Sequence, residues 1–213
     1  MIGVHDLALF VAAGLLLNVT PGPDMAYIAA RAATGGFRSG VAATLGITTG
    51  CVVHTMAAAA GLSVILATSA AAFGIVKWLG AAYLLYAGVR LLIASSRVPH
   101  TVAPAAPMPT ASPARIFREA FVINVFNPKV ALFFLAFLPQ FIDADAPLKA
   151  LAFIALGCLF NVNSLFVNIP VAWLAARAGR RVRTDARGVR WLTGAVGALF
   201  VLLAARLATL DRA

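Results

Sequence analysis

Two short segments of this chain place helix-breaking residues beside an ionisable side chain. The first is NVTPGPD, residues 18–24, and the second is NVFNPK, residues 124–129. Each lies within a long apolar run, begins with Asn-Val, soon reaches a proline and ends on a charge, Asp24 in one and Lys129 in the other. Charged side chains within apolar membrane segments are costly and usually face a partner or a transport pathway. The two segments therefore predict a polar site for a ligand that carries both an ammonium and a carboxylate group.

The backbone of the first segment is predicted to be broken. Pro21 and Pro23 lack a backbone N–H and their rings clash with the preceding helical turn, while Gly22 adds conformational freedom. The freed carbonyl groups must face protein or a water-lined cavity rather than lipid. They can hold an ammonium group, while the amino-terminal end of a half-helix faces a carboxylate. A proline kink without a ligand, and a structural ion pair between Asp24 and Lys129, are the alternatives.

These arguments select a set of candidate substrate-binding and transport residues. One further member, His54, lies in the middle of another apolar run. Its imidazole can exchange a proton near neutral pH, and a hydrogen-bonded core histidine is the alternative. The full set is Asn18, Thr20, Pro21, Gly22, Pro23, Asp24, His54, Asn124, Asn127, Pro128 and Lys129.

The elements that position these residues are predicted to be membrane-spanning helices. Of the 213 residues, 62% are hydrophobic and only 11% are charged, and the mean hydropathy is +0.94. A helix of about 20 apolar residues spans the hydrocarbon core of a bilayer. Six apolar runs reach that length, at about 7–30, 40–66, 70–93, 116–138, 148–174 and 189–209. The predicted fold class is an all-α polytopic membrane protein with six transmembrane helices.

The net charge of +10 is better explained by membrane topology than by binding to nucleic acid, because positive residues concentrate in cytoplasmic loops. Between the predicted helices, eleven arginines fall on one side of the membrane and four basic residues fall on the other. The first side is predicted to be cytoplasmic, which makes both termini periplasmic. The eleven are Arg31, Arg38, Arg97, Arg115, Arg118, Arg177, Arg180, Arg181, Arg183, Arg187 and Arg190.

A segment rich in proline and alanine divides the chain into two units. Its composition cannot bury a core, and it predicts a cytoplasmic linker. The predicted organisation is a first three-helix repeat at 1–94, the linker at 95–115 and a second three-helix repeat at 116–213.

Short matches in the same order relate the two units. Asn-Val recurs at 18 and 124, GCVVH at 50 matches GCLFN at 157, and KWLGA at 77 matches RWLTGA at 190. Because each unit holds an odd number of helices, the second unit enters the membrane from the opposite side. Inverted repeats of this kind are typical of secondary transporters, whose substrate sites lie near the bilayer midplane between interrupted helices.

Three stretches resemble the LysE/RhtB family of bacterial inner-membrane exporters. They are NVTPGPD, KWLGAAYLLYAGVRLL at 77–92 and NVFNPKVALFFLAFLPQF at 124–141. Members of the family export amino acids such as lysine, arginine, homoserine, threonine and leucine. The resemblance covers nearly the whole chain. It implies efflux of an amino acid or derivative across the inner membrane by proton antiport, with the substrate, protons and the lipid bilayer as partners.

The candidate residues of the two segments match the motif positions of the family, and their chemistry suggests their roles. Asn18 and Asn127 are predicted to bind polar groups of the substrate, Asp24 to be the proton-coupling acid, and Lys129 to be its charge partner or the receptor for a carboxylate. The run NVNSLFVNIP, residues 161–170, is outside this pattern and either tunes substrate choice or joins helices. The identity of the exported compound, the coupling ion and the oligomeric state, including a homodimer, stay open.

Other functional classes fit the sequence less well. Asp24 is the only acid predicted to lie deep in the membrane, and no zinc-binding HExxH motif is present, so the chain is predicted not to be an enzyme. A metal exporter needs several clustered carboxylates, thiols or imidazoles, and Lys129 would repel a cation. Neither a metal site nor a cofactor is predicted, and Cys51 and Cys158 are interpreted as buried packing residues. A passive channel or a helical scaffold remains open.

Overall fold

The computed structural model describes residues 3–62, 70–96, 109–143, 145–178 and 186–209. Their regular structure is helical, apart from one isolated antiparallel bridge between Val4 and Ile142. The predicted all-α fold is therefore confirmed. Parts of the sequence predictions lie outside the described residues: the end of the second span, most of the linker, and Arg97, Arg180, Arg181 and Arg183.

The first predicted span consists of two helices with a break between them. Helix α1 is Leu7–Val19 and helix α2 is Pro23–Ala57, which continues as a π-helical turn at Ala58–Leu62. Gly22 has an extended backbone with φ −165° and ψ −179°. Pro23 occupies the first position of α2, where a missing N–H costs no helical hydrogen bond. The break lies where the prolines predicted it.

The predicted loop between the first and second spans is reduced to one bend at Gly36. Helical backbone continues on both sides of this glycine, which has φ 77° and ψ 179°. That region of backbone space is open to glycine and strained for residues with a Cβ. A Cβ added there would meet nothing within 4 Å, so the backbone conformation alone requires glycine. Arg31 and Arg38 consequently lie in helical segments and not in a loop.

The second unit contains a similar break. Helix α4 is Pro113–Val125 and helix α5 is Pro128–Leu132, which continues as a π-helical turn at Phe133–Phe137 and a 3-10 turn at Leu138–Phe141. The helical pieces before and after the break are bent by 46° relative to each other. Like α1, α4 ends on Asn-Val, and like α2, α5 begins with proline.

Three longer helices complete the described fold: α3 at Ala70–Ser96, α6 at Lys149–Ala178 and α7 at Ala186–Thr209. Among the described residues, two helical stretches are long and apolar enough to cross a membrane, Pro23–Leu62 and Lys149–Arg177. Counting the bent α4–α5 pair as one span raises the number to three. These helices support a membrane protein, while the count of six spans and the inverted repeats stay predictions.

The main core joins α1 to the segment that follows the second break. The ring of Phe10 lies 6.0 Å from that of Phe133, 6.4 Å from that of Phe137 and 5.2 Å from that of Phe141, measured between centroids. All four side chains are buried. Aromatic pairs at such distances contribute beyond the area they bury. This cluster fixes α1 against the α5 side of the fold.

Helices α3 and α7 meet at a pair of glycines. A Cβ on Gly88 would lie 2.8 Å from the carbonyl oxygen of Gly197, and a Cβ on Gly197 would lie 2.9 Å from that of Gly88. Both separations are shorter than real Cβ contacts, so only glycine permits this approach. Small residues allow this close packing of membrane helices. The contact joins the third helices of the two predicted repeats.

The outer surface of the bundle exposes large apolar side chains. Phe126 is 80% exposed, Trp191 is 76% exposed and Phe166 is 73% exposed. Extensive exposed apolar surface marks contact with a membrane or a partner. Together with the apolar helices, it fits a protein embedded in lipid.

One arginine that the sequence assigned to a topology signal is a packing residue in the structure. Arg31 is buried and donates hydrogen bonds to the Glu119 carboxylate, to the Tyr27 hydroxyl at 3.0 Å and to the Pro109 carbonyl at 2.8 Å. Arg115 also donates to Glu119, at 2.8 Å. The reason is tertiary: α2 packs against α4 and brings the carboxylate over Arg31. We call Arg31, Tyr27 and Glu119 the interunit ion network.

Candidate functional site

The two helix breaks lie side by side, and Lys129 crosses from one to the other. This residue follows the second break, and its Nζ donates hydrogen bonds to the carbonyl oxygens of Leu17 at 3.1 Å and Thr20 at 3.2 Å. Those carbonyls belong to the last turn and the end of α1, where helical partners run out. The negative end of a helix dipole also favours a cation. The freed carbonyls of the first break therefore bind the ammonium group of Lys129, and their binding of a substrate ammonium stays a prediction.

Asp24 makes the reciprocal contact to the second break. Its Oδ2 accepts a hydrogen bond of 2.8 Å from Nδ2 of Asn124, in the last turn of α4. Both side chains are buried. Asp24 is also the second residue of α2, where the positive end of the helix dipole favours a carboxylate. Each break thus contributes a charged residue that contacts the other break.

Asp24 and Lys129 do not form an ion pair with each other in the described part of the chain. No oxygen of the Asp24 carboxylate lies within 4.0 Å of Nζ of Lys129. Each is bound instead by uncharged groups of the opposite break. The structural ion pair considered from the sequence is therefore absent from this conformation. The two opposite charges remain available to opposite ends of one ligand.

A cavity lies between these charges. The polar residues that line it are Asn18, Asp24, Asn124, Lys129, Ser164 and Asn168, and the apolar ones are Leu17, Met25, Ile47, Cys51, Val130 and Phe160. Its volume is about 10 Å³, close to the space that a single water needs. The structure is therefore a closed conformation, and a ligand of amino-acid size requires the walls to move apart.

Several buried polar atoms around this cavity lack a hydrogen-bond partner. They include the acceptors Oδ1 of Asp24 and Oδ1 of Asn124, and the donor Nδ2 of Asn18. Leaving such groups unpaired costs roughly 1–3 kcal/mol each, so native structures rarely leave them without a water or ligand. The acceptors suit an ammonium group and the donor suits a carboxylate.

The other residues predicted at the first break shape the backbone around it. The Thr20 hydroxyl donates to the Leu16 carbonyl at 2.6 Å and closes the last turn of α1. Gly22 lies against Lys129, because a Cβ on this glycine would be 3.2 Å from Nζ. Pro23 and Pro128 begin helices and Pro21 lies in the first break. None of these three prolines is among the residues that line the cavity.

Asn127 caps α5 and is not among the residues that line the cavity, while its predicted binding to polar groups of the substrate stays a prediction. Its Oδ1 accepts a hydrogen bond of 3.0 Å from the backbone N–H of Lys129, which caps α5. Its Nδ2 is buried without a partner. The capping bond fixes the start of α5, and with it the direction in which Lys129 leaves the backbone.

His54 lies behind the site. Its Nε2 donates to the carbonyl oxygen of Asn124 at 3.1 Å, and its ring stacks on Phe134 with centroids 5.9 Å apart. It is not among the residues that line the cavity. This geometry matches the hydrogen-bonded core histidine considered from the sequence. It holds the end of α4, which carries Asn124.

The candidate set omitted several residues of the cavity wall. Ser164 and Asn168 belong to the 161–170 run and lie four positions apart, on one face of the helix, and that spacing was the available signal. Cys51 is buried and lines the cavity, in contrast to a simple packing role. Cys158 is exposed, so its interpretation as a buried residue was wrong. It lies on an outward face of α6, which sequence alone does not identify.

A family model described as LysE type translocator matches residues 15–211, nearly the whole chain. The chain belongs to the LysE family of translocators. The sequence resemblance is thereby confirmed, and membership of a translocator family agrees with the prediction that the chain is not an enzyme.

Curated relatives of this LysE-family chain are efflux proteins. It is 29% identical over 213 residues to a leucine efflux protein of Salmonella typhimurium, covering 98% of this chain and 97% of the relative. It is 33% identical over 195 residues to a homoserine/homoserine lactone efflux protein of the same organism, covering 91% of each. No solved structure matches the chain significantly.

Proposed function

We propose that this protein exports an amino acid or a close derivative across the bacterial inner membrane by proton antiport. The observation that carries the proposal is the set of unpaired polar atoms around one closed cavity, with acceptors beside Asp24 and a donor on Asn18. Membership of the LysE family and the names of the efflux relatives point to the same class of cargo. Those names include an aliphatic and a hydroxyl amino acid, so they do not select one substrate.

The substrate ammonium would bind between Oδ1 of Asp24 and Oδ1 of Asn124, the two unpaired acceptors. The carboxylate would bind Nδ2 of Asn18 and the remaining N–H of Lys129. A lysine ammonium has three donors, and two of them already bind backbone carbonyls. A zwitterion supplies both charges at a fixed separation, which a simple cation or anion does not.

Asp24 is proposed as the coupling residue. A protonated Asp24 no longer attracts the ammonium group, while an ionised Asp24 does, so proton and substrate compete for one side chain. Exchange of one for the other on opposite sides of the membrane gives antiport. The competition needs no ion pair with Lys129, consistent with the separate partners of the two charges.

The two units, 1–94 and 116–213, are proposed to move relative to each other around the breaks. The reciprocal contacts of Asp24 and Lys129 connect the breaks in the closed conformation. Opening to either side would widen a cavity that now has room for about one water. The topology proposed from the charge distribution places the termini in the periplasm and the 95–115 linker in the cytoplasm.

The test is transport by purified protein in proteoliposomes with an imposed pH gradient. A panel of labelled amino acids is offered, and proton movement is followed with an internal pH dye. We expect at least one amino acid to move against its own gradient with stoichiometric proton counterflow. Movement that only follows the amino-acid gradient would indicate a channel, and failure of every amino acid to move would reject the proposed function.

A further inference from the structure

A polar pair on α6 forms part of the cavity wall. Ser164 is 3% exposed and Asn168 is 4% exposed, and both line the cavity that Asp24 and Lys129 share. Nδ2 of Asn168 donates a hydrogen bond of 2.9 Å to the Ser164 hydroxyl. The residues are four positions apart, so their side chains lie on one face of the helix.

This single bond leaves much of the hydrogen-bonding capacity of the pair unused. A primary amide has two donors and an acceptor oxygen, and a hydroxyl has one donor and two acceptor sites. Among described residues, Ser164 and Asn168 make no other side-chain hydrogen bond. An amide N–H, an amide oxygen and a hydroxyl proton remain to bind a ligand.

The pair does not serve to join helices. Polar side chains in membrane proteins often stabilise the bundle through hydrogen bonds to a neighbouring helix. Asn163 on the same helix does this, because its Nδ2 donates to the Val11 carbonyl of α1 at 3.4 Å. The bond between Ser164 and Asn168 stays within α6. The location of this polar pair on the cavity wall is therefore better explained by contact with a ligand than by packing between helices.

We infer that Ser164 and Asn168 form a side-chain subsite that selects amino acids with a hydroxyl or amide side chain over aliphatic ones of the same shape. The inference rests on the proposed function, which assigns the ammonium and carboxylate groups to Asp24 and Lys129. The substrate side chain then has a different part of the wall to contact. An aliphatic side chain leaves Ser164 and Asn168 without hydrogen bonds to the substrate. Sites built to hydrogen-bond a substrate discriminate strongly against analogues that lack the hydrogen-bonding group.

The test measures preference between isosteric amino acids. Proteoliposomes containing the full-length protein are offered threonine with valine, asparagine with leucine, and homoserine with norvaline, each pair in competition. The wild-type protein is expected to prefer the polar member by roughly tenfold or more, the effect of one or two hydrogen bonds. Total transport and the polar-to-apolar ratio are recorded separately.

Two variants and one matched control test whether Ser164 and Asn168 cause the preference for polar side chains. Asn168→Leu and Ser164→Ala are expected to lower the ratio by roughly tenfold, because the wall no longer hydrogen-bonds the side chain. Transport of the aliphatic member should persist or rise in both. Asn163→Leu makes the same substitution on the same helix at a residue that does not line the cavity. It should leave the polar-to-apolar ratio unchanged even where it lowers total transport.

The outcomes separate this inference from the proposed function. Transport of amino acids by the wild-type protein without a polar preference would overturn the subsite and leave the exporter proposal intact. An equal loss of both members of each pair in Asn168→Leu, with an unchanged ratio, would assign the pair a structural role and also overturn it. Failure to transport any amino acid would remove both proposals.

Discussion

At the scale of single residues, the arrangement of charges is reciprocal. Asp24 binds the amide of Asn124 just before the second break, and Lys129 binds the carbonyls of Leu17 and Thr20 at the first. Each charge is solvated by polar groups from the opposite unit. Buried charges need such partners because desolvation is otherwise prohibitive. Removing either charge should therefore affect both the ligand and the contact between units.

Asp24→Asn should abolish coupled export while the protein remains folded and inserted. The amide keeps the shape of the carboxylate and can still accept a hydrogen bond from Asn124, but it has no acidic proton to exchange and no negative charge to attract an ammonium group. Transport in proteoliposomes and the thermal midpoint in detergent are the measurements. Asp143→Asn, which changes a half-exposed acid at the end of the 3-10 turn, is the matched control and should transport normally. Normal antiport by Asp24→Asn would reject the coupling role.

Lys129→Met should lower both stability and transport. The thioether keeps the length of the side chain but leaves the Leu17 and Thr20 carbonyls without their donor. Such a loss costs roughly 1–3 kcal/mol, which should appear as a lower thermal midpoint. Lys149→Met removes a lysine that donates to the Ala146 carbonyl outside the site.

The Lys149 variant is the control for loss of a lysine-to-carbonyl bond as such. It should change the thermal midpoint less than the Lys129 variant and leave transport intact. Equal effects of the two substitutions would show that Lys129 has no special position at the breaks.

At the scale of elements, the approach of α2 to α4 decides whether Asn124 can reach Asp24. A Cβ on Gly50 would lie 2.8 Å from Cβ of Asn124 and 2.7 Å from its Oδ1. Separations this short force a shift of the neighbour. The glycine thus positions Asn124 in addition to allowing close packing of the helices.

Gly50→Ala is expected to displace Asn124 and weaken its bond to Asp24. Overpacking of this kind typically costs about 1–3 kcal/mol. Substrate affinity should fall together with the thermal midpoint. Gly74→Ala on α3 is the control, since a Cβ there would meet nothing within 4 Å. An undiminished affinity in Gly50→Ala would show that the position of Asn124 does not limit binding.

At the scale of the whole molecule, the interunit ion network holds α2 of the first unit to α4 of the second. The Glu119 carboxylate accepts hydrogen bonds from Arg31, Tyr27 and Arg115. Arg31 also binds the carbonyl of Pro109, in the described end of the predicted linker. The network lies at the end predicted to be cytoplasmic. Breaking it should favour opening of the central cavity on that side.

Glu119→Gln should increase the rate at which a membrane-permeant maleimide labels Cys51, in a Cys158→Ser background. Cys51 is 2% exposed and lines the closed cavity, so labelling reports opening. The Arg31 side chain is buried and that of Glu119 is 32% exposed, so loss of the carboxylate charge should weaken the network by about 1.5–3 kcal/mol, the range for hydrogen bonds to charged groups. Mass spectrometry of intact protein follows the label over time.

Arg115→Gln is the control for this experiment. The Arg115 side chain is 66% exposed, and exposed ion pairs contribute about 0–1 kcal/mol. Its effect on Cys51 labelling should be small. Equal labelling rates in the wild type and Glu119→Gln would show that the network does not restrain the cavity.

The sequence by itself determined the class of the fold and the position of both breaks. Long apolar runs require helices in a membrane, and proline cannot continue a helix, wherever the rest of the chain lies. These rules act within a segment, so they placed the interruptions at the prolines of the two segments and selected Asp24 and Lys129. In the structure the preceding helices end at Val19 and Val125. The same rules did not reveal that Gly36 alone makes the bend between the first two predicted spans. Two helical runs have the same sequence pattern whether a single bend or a longer loop joins them.

Only the tertiary structure decided which groups the charges bind. Opposite charges at matching positions were compatible with an ion pair or with two ends of one ligand, and in the structure Asp24 contacts Asn124 while Lys129 contacts backbone carbonyls. Partner choice depends on which helix faces approach closely and on where each helix ends, and both are properties of packing between distant segments. The same reason hid the cavity positions of Ser164 and Asn168, whose significance depends on the face that α6 turns toward the breaks.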